Sequence, residues 1–369
     1  MHIINVVGTR PNFVKIAPIV NAMRDQAGIK QTLVHTGQHY DEGMSKIFFD
    51  QLGLPKPDIY LGVGSNSHAE QTAQVMVAFE QVLMEHKPDL VVVVGDVNST
   101  MACAVTAAKL WIPVAHVEAG LRSFDRKMPE EINRIITDAI SDYLFTTSRG
   151  AIKNLQKEGI SNEKIFFTGN VMIDTLNKHR HHAEHLATPE KYGLDQGGFA
   201  LVTLHRAANV DLPDVFSDIL AALIEIQDQI PVLFAAHPRT VKRIDEFGFG
   251  ERLEQAPNLQ LIQPVGYLEF LDLTMHAKMV LTDSGGIQEE TTILGVPCLT
   301  IRENTERPIT IKEGTNTLVG IGKEQITAGA KRILAGKQKG GSIPELWDGG
   351  AAARIVNIIK SQAQNIKRI

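Results

Sequence analysis

Short β-branched runs recur along the chain, each closed by a polar or glycine-containing turn. The first half carries "INVVG", "QTLVHTG", "LVVVVGD", "VAHVEAG", "YLFTTS" and "IFFTGN". The second half carries "FALVTLH", "PVLFAAHP", "LQLIQP", "MVLTDSGG" and "PCLTIRE". Helical patterns such as "HAEQTAQVMVAFEQVLMEH" and "LPDVFSDILAALIEIQDQ" separate them. Strands that are apolar throughout, alternating with helices, predict parallel sheets covered on both faces. Two consecutive sets predict an α/β chain of two Rossmann-like, doubly wound domains facing a central cleft. The expected division is residues 1–170 and 171–350, breaking near "TGNVMIDTL" and the polar "NKHRHHAEHLATPEKYG". A last helix over residues 351–369 is expected to pack back on the N-terminal domain.

The 369 residues suit two domains, and 43% hydrophobic content lets each bury a core. A net charge of -5 argues against a nucleic-acid or anionic-membrane partner but not against a small anionic ligand. No run reaches a membrane span, and the early Asn5 and Gly8 argue against a leader segment, so a cytoplasmic protein is expected. Cys103 and Cys298 read as core thiols. His179, His181, His182 and His185 lack a completing ligand set and read as a surface helix, and no metal is expected.

Ligands of doubly wound sheets sit beyond the carboxyl ends of the strands, and the unusual residues fall there. "DSGG" followed by a helix offers small residues and free N–H groups to an anion, through Ser284, Gly285 and Gly286. Glu289 and Glu290 are placed in the first turn of that helix, Glu289 against the helix dipole and Glu290 as an acceptor for sugar hydroxyls. Arg10 in "GTRP" could fork onto a phosphate or stand in solvent. Neither turn has the pattern of an ATP or NAD loop, and no cofactor is expected. Asp96, Glu118 and Glu130 follow strands or open a helix, and His205 and His237 also follow strands. For Asp96 a helix-cap role is the competing reading. Clustered carboxylates cannot all ionise freely, so at least one should titrate high and serve proton transfer.

Taken together, "GTRP", "HTGQH", "GDVNST", "HVEAGLR", "MPEEINR", "TGNVMIDTL", "LHRAANV", "AAHPR", "LTDSGGIQEE" and "NTERP" resemble the non-hydrolysing UDP-N-acetylglucosamine 2-epimerases. The resemblance implies the GT-B-like architecture and reversible C2 epimerisation of UDP-GlcNAc to UDP-ManNAc. It implies anti-elimination of UDP, a 2-acetamidoglucal intermediate and re-addition of UDP. It implies an acid/base set of Asp96, Glu118, Glu130 and His205. Substrate binding is implied for Arg10, Lys15, His237, Ser284, Gly285, Gly286 and Glu290. Gln38 and His39 match part of an effector site found in some members, although Asp41 replaces a second glutamine there. A homodimer is a further family expectation. The alternatives are epimerisation of another UDP-HexNAc derivative, such as a UDP-2,3-diacetamido-uronic acid, a hydrolysing epimerase, and a UDP-sugar glycosyltransferase or sensor.

Overall fold

The computed structural model describes residues 1–37 and 51–363, apart from the side chain of Arg10. Gln38 and His39 therefore lie outside the described residues. The chain forms two compact units, one of Met1–Lys178 with Glu345–Ile369 and one of His179–Pro344.

The first unit holds a seven-stranded parallel sheet. Its strands are β1 (His2–Val7), β2 (Lys30–His35), β3 (Ile59–Tyr60), β4 (Leu90–Val94), β5 (Val114–Ala119), β6 (Tyr143–Thr146) and β7 (Ile165–Phe167). They lie in the order β3-β2-β1-β4-β5-β6-β7. The central strand β4, "LVVVV", is buried at every position, as a strand covered on both faces must be. The second unit holds a six-stranded parallel sheet of β8 (Ala200–Thr203), β9 (Val232–Ala235), β10 (Leu259–Ile262), β11 (Met279–Thr282), β12 (Cys298–Thr300) and β13 (Asn316–Leu318). Their order is β10-β9-β8-β11-β12-β13. The expected class holds: both units are doubly wound α/β sheets. Each reverses its winding at one seam, β1/β4 or β8/β11, where such folds place their ligands.

The units divide at different residues from those expected. Residues 171–178 and 345–350 belong to the first unit. The chain leaves that unit inside the helix Val171–Ala183, and not at the Gly169 turn before it. Three anchors explain this. Thr175 donates to the Val14 carbonyl at 2.6 Å, Asp174 accepts the Ala351 and Ala352 amides, and the Trp347 indole donates to the Thr147 carbonyl at 2.9 Å. The helix Ala351–Ser361 buries Ala351, Ala352, Ile355, Val356 and Ile359 and packs on the helix Arg10–Arg24.

Both cysteines are buried in the cores. Among the histidines, His181 and His185 stand on the surface with ring centroids 4.6 Å apart. His179 departs from the surface reading, being 9% exposed and edge-on to Tyr267. Among the described residues, no helix is long and apolar enough to cross a membrane.

Candidate active site

In the first unit, the turn after β1 is built around Asn12. Its side-chain oxygen accepts the Gly8 and Thr9 amides at 3.2 and 3.0 Å, while its amide donates to the Val94 carbonyl at the end of β4. This ties the two sides of the seam together and starts the helix Arg10–Arg24 beside it. One turn along that helix, the Lys15 amine pairs with the Glu118 carboxylate, and both residues are buried. Glu118 is the extra residue in a register shift of β5 against β6, and its φ is +77°. A side chain in that left-handed region costs roughly 1–2 kcal/mol, so the surrounding bonds must hold it there. Gly95, at φ +69°, passes directly over the ion pair: a Cβ there would sit 3.0 Å from the Lys15 amine.

The Asp96 carboxylate, just before the helix Asn98–Lys109, pairs with Arg134. Pro129 opens the helix Pro129–Ile140, and the adjacent Glu130 and Glu131 then part company. Glu131 is 1% exposed and folds back to accept the Ser123 and Phe124 amides at 3.0 and 2.8 Å, and it also pairs with Arg134. Burial pushes its carboxyl up, but the Ser123 amide and Arg134 outweigh this and hold it below the ordinary value. Glu130 is half-buried and makes no hydrogen bond or ion pair among the described residues. The acids here are thus matched to cations, Glu118 to Lys15 and Asp96 and Glu131 to Arg134.

In the second unit, His205 follows β8 and faces Asp283 at the end of β11, across the seam. Its Nδ1 lies 2.9 Å from an Asp283 oxygen. Asp283 is fully buried and also accepts the His205 and Arg206 amides and the Asn209 side chain. Burial opposes its charge, but the charge and hydrogen bond of His205 and these amides bring its pKa down to about 2. His237 opens the helix Pro238–Glu246, accepts the Arg239 amide on Nδ1 at 3.2 Å, and lies 6.2 Å from the His205 ring.

Ser284 stands at the cap of the helix Gly285–Leu294, whose first amides lack a carbonyl of a preceding turn. A Cβ at Gly285 would meet Arg307 and lie 2.8 Å from Glu306. Behind it, Glu306 pairs with Arg302 at 2.7 Å and with Arg307, whose Nε is 2.9 Å from Glu289. Arg206 reaches Glu306 at 3.8 Å. Arg302, Arg307 and Arg206 thus gather behind the helix start. Such a place favours a phosphate.

The helix begins at Gly285, so Glu289 and Glu290 lie in its second turn, not its first. Glu289 faces Arg307 and does not serve the helix dipole. Glu290 is 4% exposed and accepts the Tyr267 hydroxyl at 3.1 Å. Burial raises its pKa to about 7; the Tyr267 bond works against that rise, and the Glu289 charge adds to it. Glu290 lies outside the set of Asp96, Glu118 and Glu130 for which a raised value was expected.

A family model described as UDP-N-acetylglucosamine 2-epimerase matches residues 21–360. The chain belongs to this family. The UDP-N-acetylglucosamine 2-epimerase of Methanocaldococcus jannaschii is 46% identical over 361 residues, covering 96% of this chain and 97% of that relative. The UDP-2,3-diacetamido-2,3-dideoxy-D-glucuronate 2-epimerase of Pseudomonas aeruginosa is 44% identical over 359 residues, again covering 96% and 97%. The crystal structure of the Methanocaldococcus jannaschii UDP-GlcNAc 2-epimerase in complex with UDP-GlcNAc and UDP superposes with a TM-score of 0.92 at 44% identity, covering 98% of this chain and all of the other.

Against the site expected for a 2-epimerase of this family, the structure adds several partners. Sequence reasoning gave no role to Asn12, Arg134, Asp138, Tyr267, Asp283 or Glu306. Asp283 was in view as a turn residue of "DSGG", and Glu306 stands in "NTERP". What identifies them is which strands lie side by side.

Proposed function

We propose that this member of the 2-epimerase family interconverts UDP-GlcNAc and UDP-ManNAc. The observation that carries the reading is the strained, buried Glu118 facing Lys15 at the end of β5, in a chain 46% identical to a UDP-GlcNAc 2-epimerase over nearly its full length. Holding a carboxylate in an unfavourable backbone conformation against a buried amine has no purpose in packing. It suits a group aimed for proton transfer.

In this reading, UDP leaves C1 as the C2 proton is taken, giving 2-acetamidoglucal. UDP then re-adds to C1 while C2 is protonated on the opposite face. Asp96, Glu118, Glu130 and His205 form the acid/base set. Glu130 suits a direct role because no protein partner occupies it among the described residues. His205, aligned by the ionised Asp283, suits proton transfer or the departing phosphate. Ser284, Gly285, Gly286 and His237 hold the diphosphate with Arg10, and Glu290 takes the ribose hydroxyls. Lys15 fixes and balances Glu118. No cofactor enters these steps. A homodimer, a cytoplasmic setting and supply of a polysaccharide precursor complete the reading on family likeness.

The test is proton and phosphorus NMR with UDP-GlcNAc in D2O. UDP-ManNAc carrying deuterium at C2, with no accumulating UDP, is the expected result. Free ManNAc with UDP would assign a hydrolysing enzyme instead. A second reading has a specific basis: the relative named for a diacetamido-uronate is 44% identical. Turnover of that sugar nucleotide, and not of UDP-GlcNAc, would decide for it.

A further inference from the structure

We infer that Asp138 is the positioning residue that holds Glu118 in its left-handed conformation and aims its carboxylate at Lys15. The inference rests on the proposed acid/base role of Glu118 only for its catalytic consequence; its geometric content stands alone.

Asp138 is fully buried on the helix Pro129–Ile140, and its two oxygens bind on either side of Glu118. One oxygen meets the His116 ring at 2.6 Å, two residues before Glu118. The other accepts the Gly120 amide at 3.0 Å, two residues after it, and pairs with Arg122 at 2.7 Å. The His116 ring and the Gly120 amide are thereby fixed to one buried carboxylate, and the three residues between them, with Glu118 at their centre, must take up the turn. The far side is closed as well. Asn154 donates to the Gly120 carbonyl at 2.9 Å, and a Cβ on Gly120 would lie 2.5 Å from the Ala151 carbonyl. The clamp extends to the neighbouring strand. The other His116 nitrogen faces the Gly95 carbonyl at 2.8 Å, immediately before Asp96. One buried carboxylate therefore sets the backbone beneath two of the candidate acids. A buried charge bound at both ends is what a positioned side chain needs from its supporting shell. Packing alone would be met by an apolar residue.

The experiment is a crystal structure and steady-state kinetics of Asp138→Asn, with His116→Gln as a milder cut in the same clamp. The expected structure keeps both sheets but returns Glu118 to negative φ, with its carboxylate withdrawn from Lys15. The expected kinetics are a fall in kcat of at least ~10-fold with KM changed less than ~3-fold, as for a misplaced reacting group. In a Glu118→Gln background, Asp138→Asn should add almost nothing to that fall, because it acts through Glu118. A purely structural role would add in full. Glu118 unmoved in either variant overturns the inference. If the wild-type chain lacks epimerase activity, the proposed function fails while the crystallographic outcome still decides this one.

Discussion

His205 Nδ1 lies 2.9 Å from Asp283 Oδ1 across the seam of the second sheet, although the residues are 78 positions apart. The pair converts an exposed histidine into an oriented one, and four hydrogen-bond donors converge on the carboxylate. Asp283 keeps its charge down to about 2 against an ordinary 3.8, since these donors overcome its burial. A lowered folded-state value means the stability it contributes is present above pH 3.8 and lost as pH falls through about 2. Asp283→Asn should therefore cost roughly 2 kcal/mol at neutral pH and flatten the acid limb of the stability curve. Turnover should fall by ~10-fold or more as the His205 ring loses its tether. Acid titration followed by circular dichroism reads the first effect. Parallel acid limbs for variant and wild type would show that Asp283 is not the group responsible.

The neighbours Glu130 and Glu131 should separate cleanly under the same substitution. Glu131→Gln removes a buried charge bound to Arg134 and to two loop amides, and should cost about 3 kcal/mol in urea unfolding. Glu130→Gln touches no partner among the described residues and should change stability by less than ~0.5 kcal/mol. Its turnover should nevertheless drop at least ~100-fold, the scale of a lost general acid or base. Near-normal turnover in Glu130→Gln would take it out of the mechanism.

That contrast also shows what the sequence could not convey. Strands that are apolar at every position were legible, because burial on both faces leaves that mark. The strands β3 and β13 were not, being two and three residues long at sheet edges, with Tyr60 exposed and Asn316 and Thr317 polar. Most of the candidate site residues stood out because they lie near strand ends or helix starts. Their partners did not. "PEE" does not reveal which carboxylate bends back to Arg134, and "DSGG" does not reveal that β11 lies beside β8. Glu289 and Glu290 were misplaced by one turn because the helix begins directly after Ser284 and takes both glycines into its first turn. These facts depend on strand order and helix phase, which local pattern does not encode.

Gly285→Ala tests the cradle in front of Arg307. The added Cβ meets the Arg307 guanidinium and Glu306, both buried and paired, so neither can give way freely. Overpacking of this kind costs about 1–3 kcal/mol. UDP affinity by calorimetry should fall by at least ~10-fold, since the backbone at a phosphate site must approach closely. An unchanged affinity would move the diphosphate away from this turn.

Glu290 and Tyr267 supply a prediction in pH. Burial lifts the Glu290 carboxyl to about 7, well above the ordinary 4.5. A raised folded-state value means its favourable contribution is complete below pH 4.5 and lost as pH rises through about 7, where the empty site must hold a buried charge. Glu290→Gln removes that penalty, so the unliganded variant should gain roughly 3 kcal/mol on the wild type well above neutrality and almost nothing in mild acid. UDP binding should move the other way. The ionised carboxylate is the better acceptor for two hydroxyls, so wild-type affinity should rise with pH across the same window, while the variant binds weakly and without pH dependence. Thermal melts and calorimetric titrations on both sides of pH 7 measure the two effects on one pair of proteins. A variant whose melting point tracks the wild type at every pH would mean that Glu290 is not strained by its burial. Wild-type UDP affinity that is flat with pH would mean that it does not hold the ribose.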